Sequence, residues 1–555
     1  MEKHYQKIIE DTQDRVTKSL QIQVLDENSP RYGGFADASG IVQAKFSIYR
    51  VASMTAAYCN EDTVYRHDER VLESILLGLD YIRSVQHDNG LFDYITCNFF
   101  SAPDTAFCIK KLLPVYQYLA GKAETGDLPE GERRILEKVE VIVRDGAFGL
   151  LEGGFHTPNH RWAIASVLMA CGKLFDCASM EKAACVYLNE GIDCNGDGEF
   201  AEKSAGNYNR INNDAMIMLS EATGDPSYER NAVRNLWMML TYWEPDDSIF
   251  TANSTRFDKD RLVYPKDYYL EYLKMGLKYD IPEFLQMCNS IFEIVDKKHI
   301  TSPDFLIWFM LHPEYRSLEF EGSYRRPDFR CFYRESGIAR GQQGRFTYTV
   351  MKGKSNFFYF HNGTVKLELK VAGSFCEHRA FRSESMERLS DREYRLSQTM
   401  RGWYYLPFAE KPETSDWWKM DNASREKKLG PDMQVDVWVK EVENGVDVRV
   451  KTSGVEGAPW RIELAFSGVD FLTGDYLDMP LTGNEVIVIK QGYVEAGNGQ
   501  DALIVGPCFG EHHFTEGKED SEAKAAGAAT LYLTDYTAFD HTIEIRNKRS
   551  LFEKK

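Results

Sequence analysis

With 555 residues, the chain is too long for one compact core, and its hydrophobic fraction of 43% and charged fraction of 27% are ordinary for a globular protein of two to four domains. The formal net charge of −19 argues against a general nucleic-acid binder, because no basic stripe offsets it. An anionic sugar is not excluded as a ligand, since a local cluster of arginine and histidine can still be positive.

The cysteine pattern and the N-terminal sequence bear on the cellular location. The 11 cysteines are scattered without the spacing of a disulfide framework, which favours reduced thiols. The N-terminal sequence MEKHYQKIIEDTQDRV has no apolar signal core, and no stretch approaches the roughly 20 apolar residues that cross a membrane. We therefore expect a cytoplasmic protein without a membrane partner.

From about residue 31 to 315, apolar residues recur at helical spacing. Within 71–86, Val71, Ile75 and Leu79 fall on one face. Similar patterns predict the helices that follow, at 104–119, 134–144, 160–176, 212–222, 230–243, 266–276, 282–297 and 303–311.

A loop motif of glycine with a nearby phenylalanine recurs between these helices. It reads GGFAD at 33–37, NGLFDY at 89–94, EGGFHT at 152–157 and DGEFAE at 197–202. This weak self-similarity indicates a repeated helical hairpin. An open solenoid is one solution, but we favour a closed α/α toroid, because the loops rather than the helix faces hold the polar clusters.

After about residue 330 the pattern changes to period-two alternation between turns rich in glycine and asparagine. About nine strands are predicted, with ENG at 443–445 as a hairpin turn, and they indicate a large antiparallel β-sandwich. The charged segment 516–528 is expected to be an exposed loop. The predicted fold is therefore α+β and multidomain, with an N-terminal (α/α) toroid or incomplete barrel over 1–325 and an antiparallel β-sandwich over 326–555.

Two loops between Gly153 and Met218 concentrate polar groups, and each opens into an apolar helix. The first presents His156, Asn159, His160 and Arg161 at a helix start. Free N–H groups and the helix dipole favour an anion there, so these side chains suit a bound carboxylate. On the dipeptide alone, an N-capping asparagine followed by a structural histidine is the better interpretation.

The second loop presents Glu199, Tyr208, Asn209 and Arg210. A tyrosine between two asparagines and followed by an arginine is not placed like a core aromatic. A nearby cation would lower its pKa and let it transfer a proton. A tyrosine that stacks on sugar is an equally good interpretation.

The second loop also contains part of a calcium-binding pattern. Asp193, Asn195 and Asp197 occupy its first, third and fifth positions, but Ser204 stands where a bidentate glutamate is needed. We expect no cofactor, and we interpret these residues as lining a sugar site or capping a helix. A structural metal is the alternative.

Residues outside these two loops complete the candidate site. Asp104, a candidate acid, begins the predicted helix 104–119, and Arg256 lies in the loop 244–257, which could add polar contacts at the same end of a toroid, although a solvated turn would also explain Arg256. His361 ends the strand NFFYFH and can point off the sheet edge, although a turn histidine in solvent is the commoner case. The residues expected to bind substrate are His156, Arg161, Asn209, Arg210, Glu199, Asp104 and Arg256.

Three of these features occur together in an order that resembles the heparinase II/III-like polysaccharide lyases and their alginate-lyase relatives. They are Asn159-His160 in NHRWAIASVLMACGKLF, Tyr208 after them, and His361 in HNGTVKLEL. The resemblance implies β-elimination at a uronic acid. It implies that Asn159 and an arginine neutralise the substrate carboxylate and that Tyr208 or His361 removes the C5 proton. It further implies that Tyr208 protonates the leaving oxygen with help from His160.

Three functions remain open at this point. The first is a lyase acting on uronic-acid-containing oligo- or polysaccharides. The second is an exo-acting, glucuronidase-like glycoside hydrolase that uses paired carboxylates from 93–104 and 193–202. The third is a non-catalytic sugar-binding protein. In each case the expected partner is an anionic oligo- or polysaccharide rather than nucleic acid, and a homodimer is compatible with the size of the chain.

Overall fold

The computed structural model describes residues 1–514 and 523–549 and divides into two compact units. The first unit comprises Met1–Trp243 and Ser248–Arg325, and the second comprises Glu244–Asp247 and Arg326–Lys555. Most of the segment 516–528, which is predicted to be an exposed loop, lies outside the described residues. No sequence pattern indicates that Glu244–Asp247 belongs with the strands.

The first unit is built from α-helices joined by short loops. The helices are α1 (Glu2–Ile22), α2 (Ala44–Cys59), α3 (Glu69–Ser84), α4 (Ala102–Glu124), α5 (Glu130–Gly149), α6 (Pro158–Leu174), α7 (Ala178–Leu188), α8 (Tyr208–Thr223), α9 (Pro226–Tyr242), α10 (Tyr269–Tyr279), α11 (Pro282–Lys298) and α12 (Leu306–Leu311). Short 3₁₀ turns lie at Leu150–Glu152, Pro265–Tyr268 and Pro313–Ser317, and a small hairpin pairs β1 (Phe92–Tyr94) with β2 (Asn98–Ser101). No helix in the described part of the chain is both long enough and apolar enough to span a bilayer.

Helix packing produces a ring of hairpins. Helices α2, α4, α6, α8 and α10 each contact the odd-numbered helix that follows, and these five helices also contact one another in turn. Helix α12 packs against α1, α2 and α4, which brings the end of the array back to its beginning. The predicted toroid is therefore confirmed, and the even-numbered helices form its inner layer.

The glycines of the recurring loops allow these loops to pack closely against the backbone of an outer helix. Gly90 has φ +82°, and a Cβ there would lie 2.0 Å from the carbonyl oxygen of Asp145 in α5. Gly198 has φ +96°, and its Cβ would lie 2.6 Å from the carbonyl oxygen of Arg234 in α9. A side chain is thus excluded by both conformation and space. The repeat read from the sequence reflects this packing.

The second unit is a sandwich of two nine-stranded sheets. Its strands are β3 (Phe329–Tyr333), β4 (Ile338–Gln343), β5 (Phe346–Met351), β6 (Phe358–Asn362), β7 (Val365–Phe375), β8 (His378–Ala380), β9 (Ser385–Ser390), β10 (Glu393–Tyr405), β11 (Lys427–Val442), β12 (Gly445–Ser453), β13 (Pro459–Ser467), β14 (Phe471–Gly474), β15 (Leu477–Pro480), β16 (Val486–Val488), β17 (Val494–Gly497), β18 (Asp501–Gly506), β19 (Ala529–Tyr536) and β20 (Asp540–Arg549).

Strand order and register agree with the predicted antiparallel sandwich. One sheet runs β15-β14-β17-β18-β20-β12-β11-β10-β9, and the other runs β16-β19-β13-β7-β6-β5-β4-β3 with β8 beside β7. Among the described strands, only the β16–β19 pair is parallel. The hairpin predicted at 443–445 is present, with Val442 opposite Gly445 and Asn444 at φ +59°. Alternate residues of the two hairpin strands are buried in the core, as at Val437 and Val448.

Candidate active site

A cavity of about 940 Å³ lies within the helical unit, inside the ring of even-numbered helices. Its lining falls into two sets along the helices. The upper group comes from helix starts and the loops before them, and it comprises Lys45, Asn98, Asp104, His156, His160, Tyr208 and Arg256. The lower group comes from α4, α8 and α10, and it comprises Lys110, Arg210, Asp214 and Glu271, of which Arg210 and Glu271 are each the third residue of their helix.

Tyr208 is the first residue of α8 and lies half-buried in the upper group. Its ring meets Phe257 edge-on at 5.8 Å, and its hydroxyl has no hydrogen-bond partner among the described residues. Burial raises the pKa of Tyr208, and Glu202 adds to the rise, while Lys45 and Arg256 oppose it. The expected lowering of this pKa by a cation is therefore wrong, because burial outweighs the two cations. The hydroxyl is a neutral proton donor near neutral pH.

His160 is the third residue of α6, and it also lines the cavity. Burial lowers its pKa to about 4, and the neighbouring His156 and Lys45 lower it too, whereas Asp104 opposes them. Its Nδ1 lies 3.5 Å from the backbone N–H of His156. Near neutral pH the imidazole is therefore uncharged and able to accept a proton.

Lys45 and Asp104 form a buried ion pair that joins the starts of α2 and α4. Lys45 Nζ lies 2.9 Å from Asp104 Oδ1 and stands over the rings of Tyr94 and Phe107. Asp104 Oδ2 accepts hydrogen bonds from Ser101 Oγ at 2.7 Å and from the Asn98 amide at 3.2 Å. Burial alone would raise the pKa of Asp104. These partners outweigh burial and hold that pKa below its usual value. The pair is neutral overall and holds the Lys45 ammonium in a fixed position at the edge of the cavity.

Asn159 lies outside the cavity lining and binds a protein carboxylate instead. It is only 1% exposed, and its side-chain amide donates to Glu202 Oε1 at 2.8 Å while its backbone N–H donates to Glu202 Oε2 at 3.2 Å. The buried Glu202 in turn accepts from Arg256 Nε at 2.8 Å. The predicted direct contact of Asn159 with a substrate carboxylate needs correction, because this donor is occupied. Its effect on the site runs through Glu202 to Arg256, which does line the cavity.

Other predicted residues of the two loops are held within the scaffold rather than in the cavity lining. Arg161 pairs with Glu190 at 2.7 Å and lies over Trp162. Asn209 is buried, and its amide approaches the sulfur of Met239. Glu199 is buried and accepts from the Asn253 amide at 2.8 Å. None of these three predicted substrate contacts is presented to the cavity.

The calcium-loop residues have other neighbours. Asp193 accepts from the Trp162 indole at 2.6 Å and lies 3.5 Å from Arg161, while the Asn195 side chain accepts from the backbone N–H of Glu199. Within residues 1–514 and 523–549, no group of three or more histidine, cysteine, aspartate or glutamate side chains is arranged to hold a metal ion.

His361 belongs to the second unit and is buried there within β6. Its Nδ1 lies 2.8 Å from Glu244 Oε2, and Arg340 Nη2 lies 2.5 Å from Glu244 Oε1. Thr347 donates its hydroxyl to the same glutamate. His361 is therefore engaged in a buried charged cluster of the second unit, whereas the cavity is lined by the first unit.

The lower group contains residues that sequence reasoning did not select. Lys110 pairs with Asp214 at 2.8 Å, which lowers the pKa of Asp214 against the effect of burial. Burial raises the pKa of Glu271 to about 8, with Asp214 adding to the rise and Arg210 opposing it. These side chains sit on apolar-patterned inner helices, where a charged residue at a core position was the one signal available.

No protein-family model matches the chain, and no curated protein sequence matches it. The backbone is similar to that of a Paenibacillus xanthan lyase, with a TM-score of 0.57 and 10% identity over 99% of this chain and 57% of the lyase chain. It is also similar to the chondroitin AC lyase of Streptomyces coelicolor A3, with a TM-score of 0.51 and 12% identity over 98% of this chain and 79% of that one. At this identity the likeness shows a shared toroid-and-sandwich fold.

Proposed function

We propose that this chain is a carbohydrate-active enzyme that cleaves uronic-acid-containing oligo- or polysaccharides by β-elimination. The observation that carries the proposal is the free hydroxyl of Tyr208, which shares one cavity with a neutral histidine and two cations. The fold likeness to two polysaccharide lyases supports the same class of reaction, although it does not identify the sugar. The heparinase II/III-like assignment remains a prediction.

In this mechanism Arg256 and Lys45 bind the carboxylate of the uronic acid. Neutralising that charge acidifies the C5 proton, and preorganised cations stabilise the enolate-like intermediate. The neutral imidazole of His160 accepts the C5 proton, and the C5–H electron pair forms the C4–C5 double bond as the C4–O bond breaks. The phenol of Tyr208 donates its proton to the leaving oxygen. The lowered pKa of His160 and the raised pKa of Tyr208 are compatible with these two roles.

Asn159 and Glu202 position the carboxylate-binding arginine. The Asn159 amide and Arg256 Nε donate to the same buried oxygen, Glu202 Oε1, which fixes the direction of the guanidinium. The side chain of Arg256 is 30% exposed and lines the cavity, although its Nη1 also donates to the backbone carbonyl of Thr255 at 3.4 Å. Asn159 thus acts through Glu202 and is a positioning residue.

The test is incubation of the purified protein with a panel of uronic-acid oligosaccharides, with ultraviolet absorbance and reducing ends followed together. New absorbance from a C4–C5 double bond, absent in Tyr208→Phe, is the expected result. Sugar-induced thermal stabilisation without any product would instead support the sugar-binding alternative.

Hydrolysis is the second candidate, and one observation favours it. Glycosidases need one protonated and one ionised carboxyl, and the cavity contains both states in Glu271 and Asp104. The acids of the 193–202 loop do not line the cavity, so a hydrolase would have to use this other pair. New reducing ends without absorbance in the same panel would establish hydrolysis.

A further inference from the structure

The lower group contains two ionisable side chains of opposite type that do not bind each other. Arg210 lines the cavity and forms no hydrogen bond or ion pair with any described residue, although the charge of Glu271 raises the pKa of Arg210. Glu271 is 3% exposed, and its Oε2 has no hydrogen-bond partner in the described chain. A half-buried guanidinium and a buried carboxyl oxygen without protein partners leave donors and an acceptor free for a ligand in the cavity.

The neighbouring charges of the lower group are already paired. Lys110 lies 2.8 Å from Asp214, and Lys274 lies 2.8 Å from Glu221 while its ammonium stands over the Trp308 ring at 4.0 Å. Each of these pairs is neutral overall, whereas Arg210 forms no ion pair with a described residue and is influenced most strongly by the charge of Asp267, followed by Glu271 and Asp214. Apolar walls from Ile211 and Leu270 line the same part of the cavity, as a sugar ring requires.

We propose that Arg210 and Glu271 form a second subsite, which binds the carboxylate of a further acidic sugar unit. Arg210 would donate two N–H groups to the carboxylate, and Glu271 in its neutral form would donate its O–H. This inference rests on the proposed function, because it gives the lyase a substrate with two acidic units. One unit reacts at the upper group, and the other is held at the lower group.

The protonation state of Glu271 decides whether this subsite accepts an anion. With a pKa of about 8, the side chain is neutral at pH 7 and becomes a repelling carboxylate above pH 8. The pKa of Cys288 lies well above 9, and those of Tyr268 and Tyr272 lie well above 10, so these neighbours do not titrate in that range. The other charged or titratable neighbours are Arg210 and Asp214 on α8, Asp267 before α10, Lys110 on α4, Lys274 on α10 and Tyr49 on α2.

The experiment is calorimetric titration of the full-length protein with glucuronate and with glucose, at pH values from 6.5 to 9. Neither monosaccharide has a glycosidic bond, so binding is measured without turnover. We expect glucuronate to bind at least about tenfold more tightly than glucose at pH 7, and to weaken about tenfold between pH 7 and pH 9. In an Arg256→Gln background, which removes the carboxylate-binding arginine of the upper group, Arg210→Gln should abolish the remaining preference and Glu271→Gln should abolish the pH dependence.

Matched controls separate this subsite from the upper group and from general effects. Glu314→Gln and Arg70→Gln change exposed residues of the same types and should leave binding as in the unaltered protein. Equal affinity for the two sugars, or a preference lost in Arg256→Gln but kept in Arg210→Gln, would overturn the subsite. Absence of cleavage with this binding intact would overturn the proposed function alone. Cleavage with glucuronate affinity unchanged in both variants would overturn the subsite alone.

Discussion

Tyr208 combines a free hydroxyl with a raised pKa, which suits a proton donor to a leaving group. Replacing Tyr208 by phenylalanine removes the proton but keeps the ring that packs against Phe257. We expect kcat for elimination to fall by about 10²–10⁴, the usual contribution of a general acid. The rate of absorbance increase gives kcat, and thermal stabilisation by substrate should persist in the variant. A variant that keeps full activity would remove Tyr208 from the mechanism.

His160 predicts the acid limb of the pH–rate profile. Its pKa of about 4 means that the imidazole stays neutral over the range in which an ordinary histidine, at 6.5, becomes protonated. We expect kcat/KM to hold down to about pH 4.5 and to fall below that value. The same depressed pKa makes the stability contributed by this neutral histidine full above pH 6.5 and lost as the pH falls toward 4.

The profile is measured at constant ionic strength, with circular dichroism at each pH to exclude unfolding. His160→Gln should lower activity at every pH and remove this limb. A fall in kcat/KM near pH 6.5 that persists in His160→Gln would mean that another group is the base.

At the scale of elements, the recurring glycine loops fix where each inner helix begins. The loop around Gly198 leads into Glu202 and then α8, so its position sets both Arg256 and Tyr208. Gly198→Ala combines a left-handed φ with a Cβ 2.6 Å from a backbone oxygen, and we expect a loss of about 1–3 kcal/mol in unfolding free energy. Denaturant unfolding measures the loss.

Gly191 provides the matched control for this prediction. It has a similar φ of +83°, but a Cβ there would meet nothing within 4 Å. Gly191→Ala should therefore lower the free energy of unfolding by about 1 kcal/mol, because only the backbone conformation is unfavourable for alanine. Equal losses in the two variants would mean that the close approach to α9 contributes nothing.

At the scale of the whole molecule, a buried charged cluster holds the segment Glu244–Asp247 in the second unit. Arg340 and Thr347 bind Glu244, and Lys366 binds Asp246 at 2.8 Å. Burial alone would raise the pKa of Glu244, but Arg340 and His361 hold it well below 4.5. Glu244→Gln removes a carboxylate that pairs with the buried Arg340, and we expect the free energy of unfolding to fall by about 3–5 kcal/mol.

Urea unfolding at pH 7 and at lower pH tests this prediction. Because the pKa of Glu244 is depressed on folding, its contribution is full above 4.5 and shrinks as the pH falls below that value. The difference in the free energy of unfolding between the variant and the unaltered protein should therefore become smaller at low pH. Asp540→Asn, which removes an exposed partner of Arg449, should cost less than about 1 kcal/mol. A similar small loss in Glu244→Gln would contradict the role of the cluster.

The sequence alone determined the fold class and part of the site, because both depend on local patterns. Helical periodicity and the glycine–phenylalanine repeat predicted the toroid, and strand alternation with a turn at 443–445 predicted the sandwich. His160 and Tyr208 were found because they lie in polar loops that open into apolar helices, and such loops gather at one end of a ring of hairpins.

The tertiary structure alone decided which polar residues face the cavity and how each is protonated. The sequence also selected Asn159 and Glu199 in these polar loops. Each of them instead forms a hydrogen bond with a buried residue that lies far away in the sequence. Arg210 and Glu271 lie 61 positions apart on different helices, and the packing of α8 against α10 brings them to one cavity. Burial and ion pairing depend on neighbours from several helices, so no local pattern specifies them.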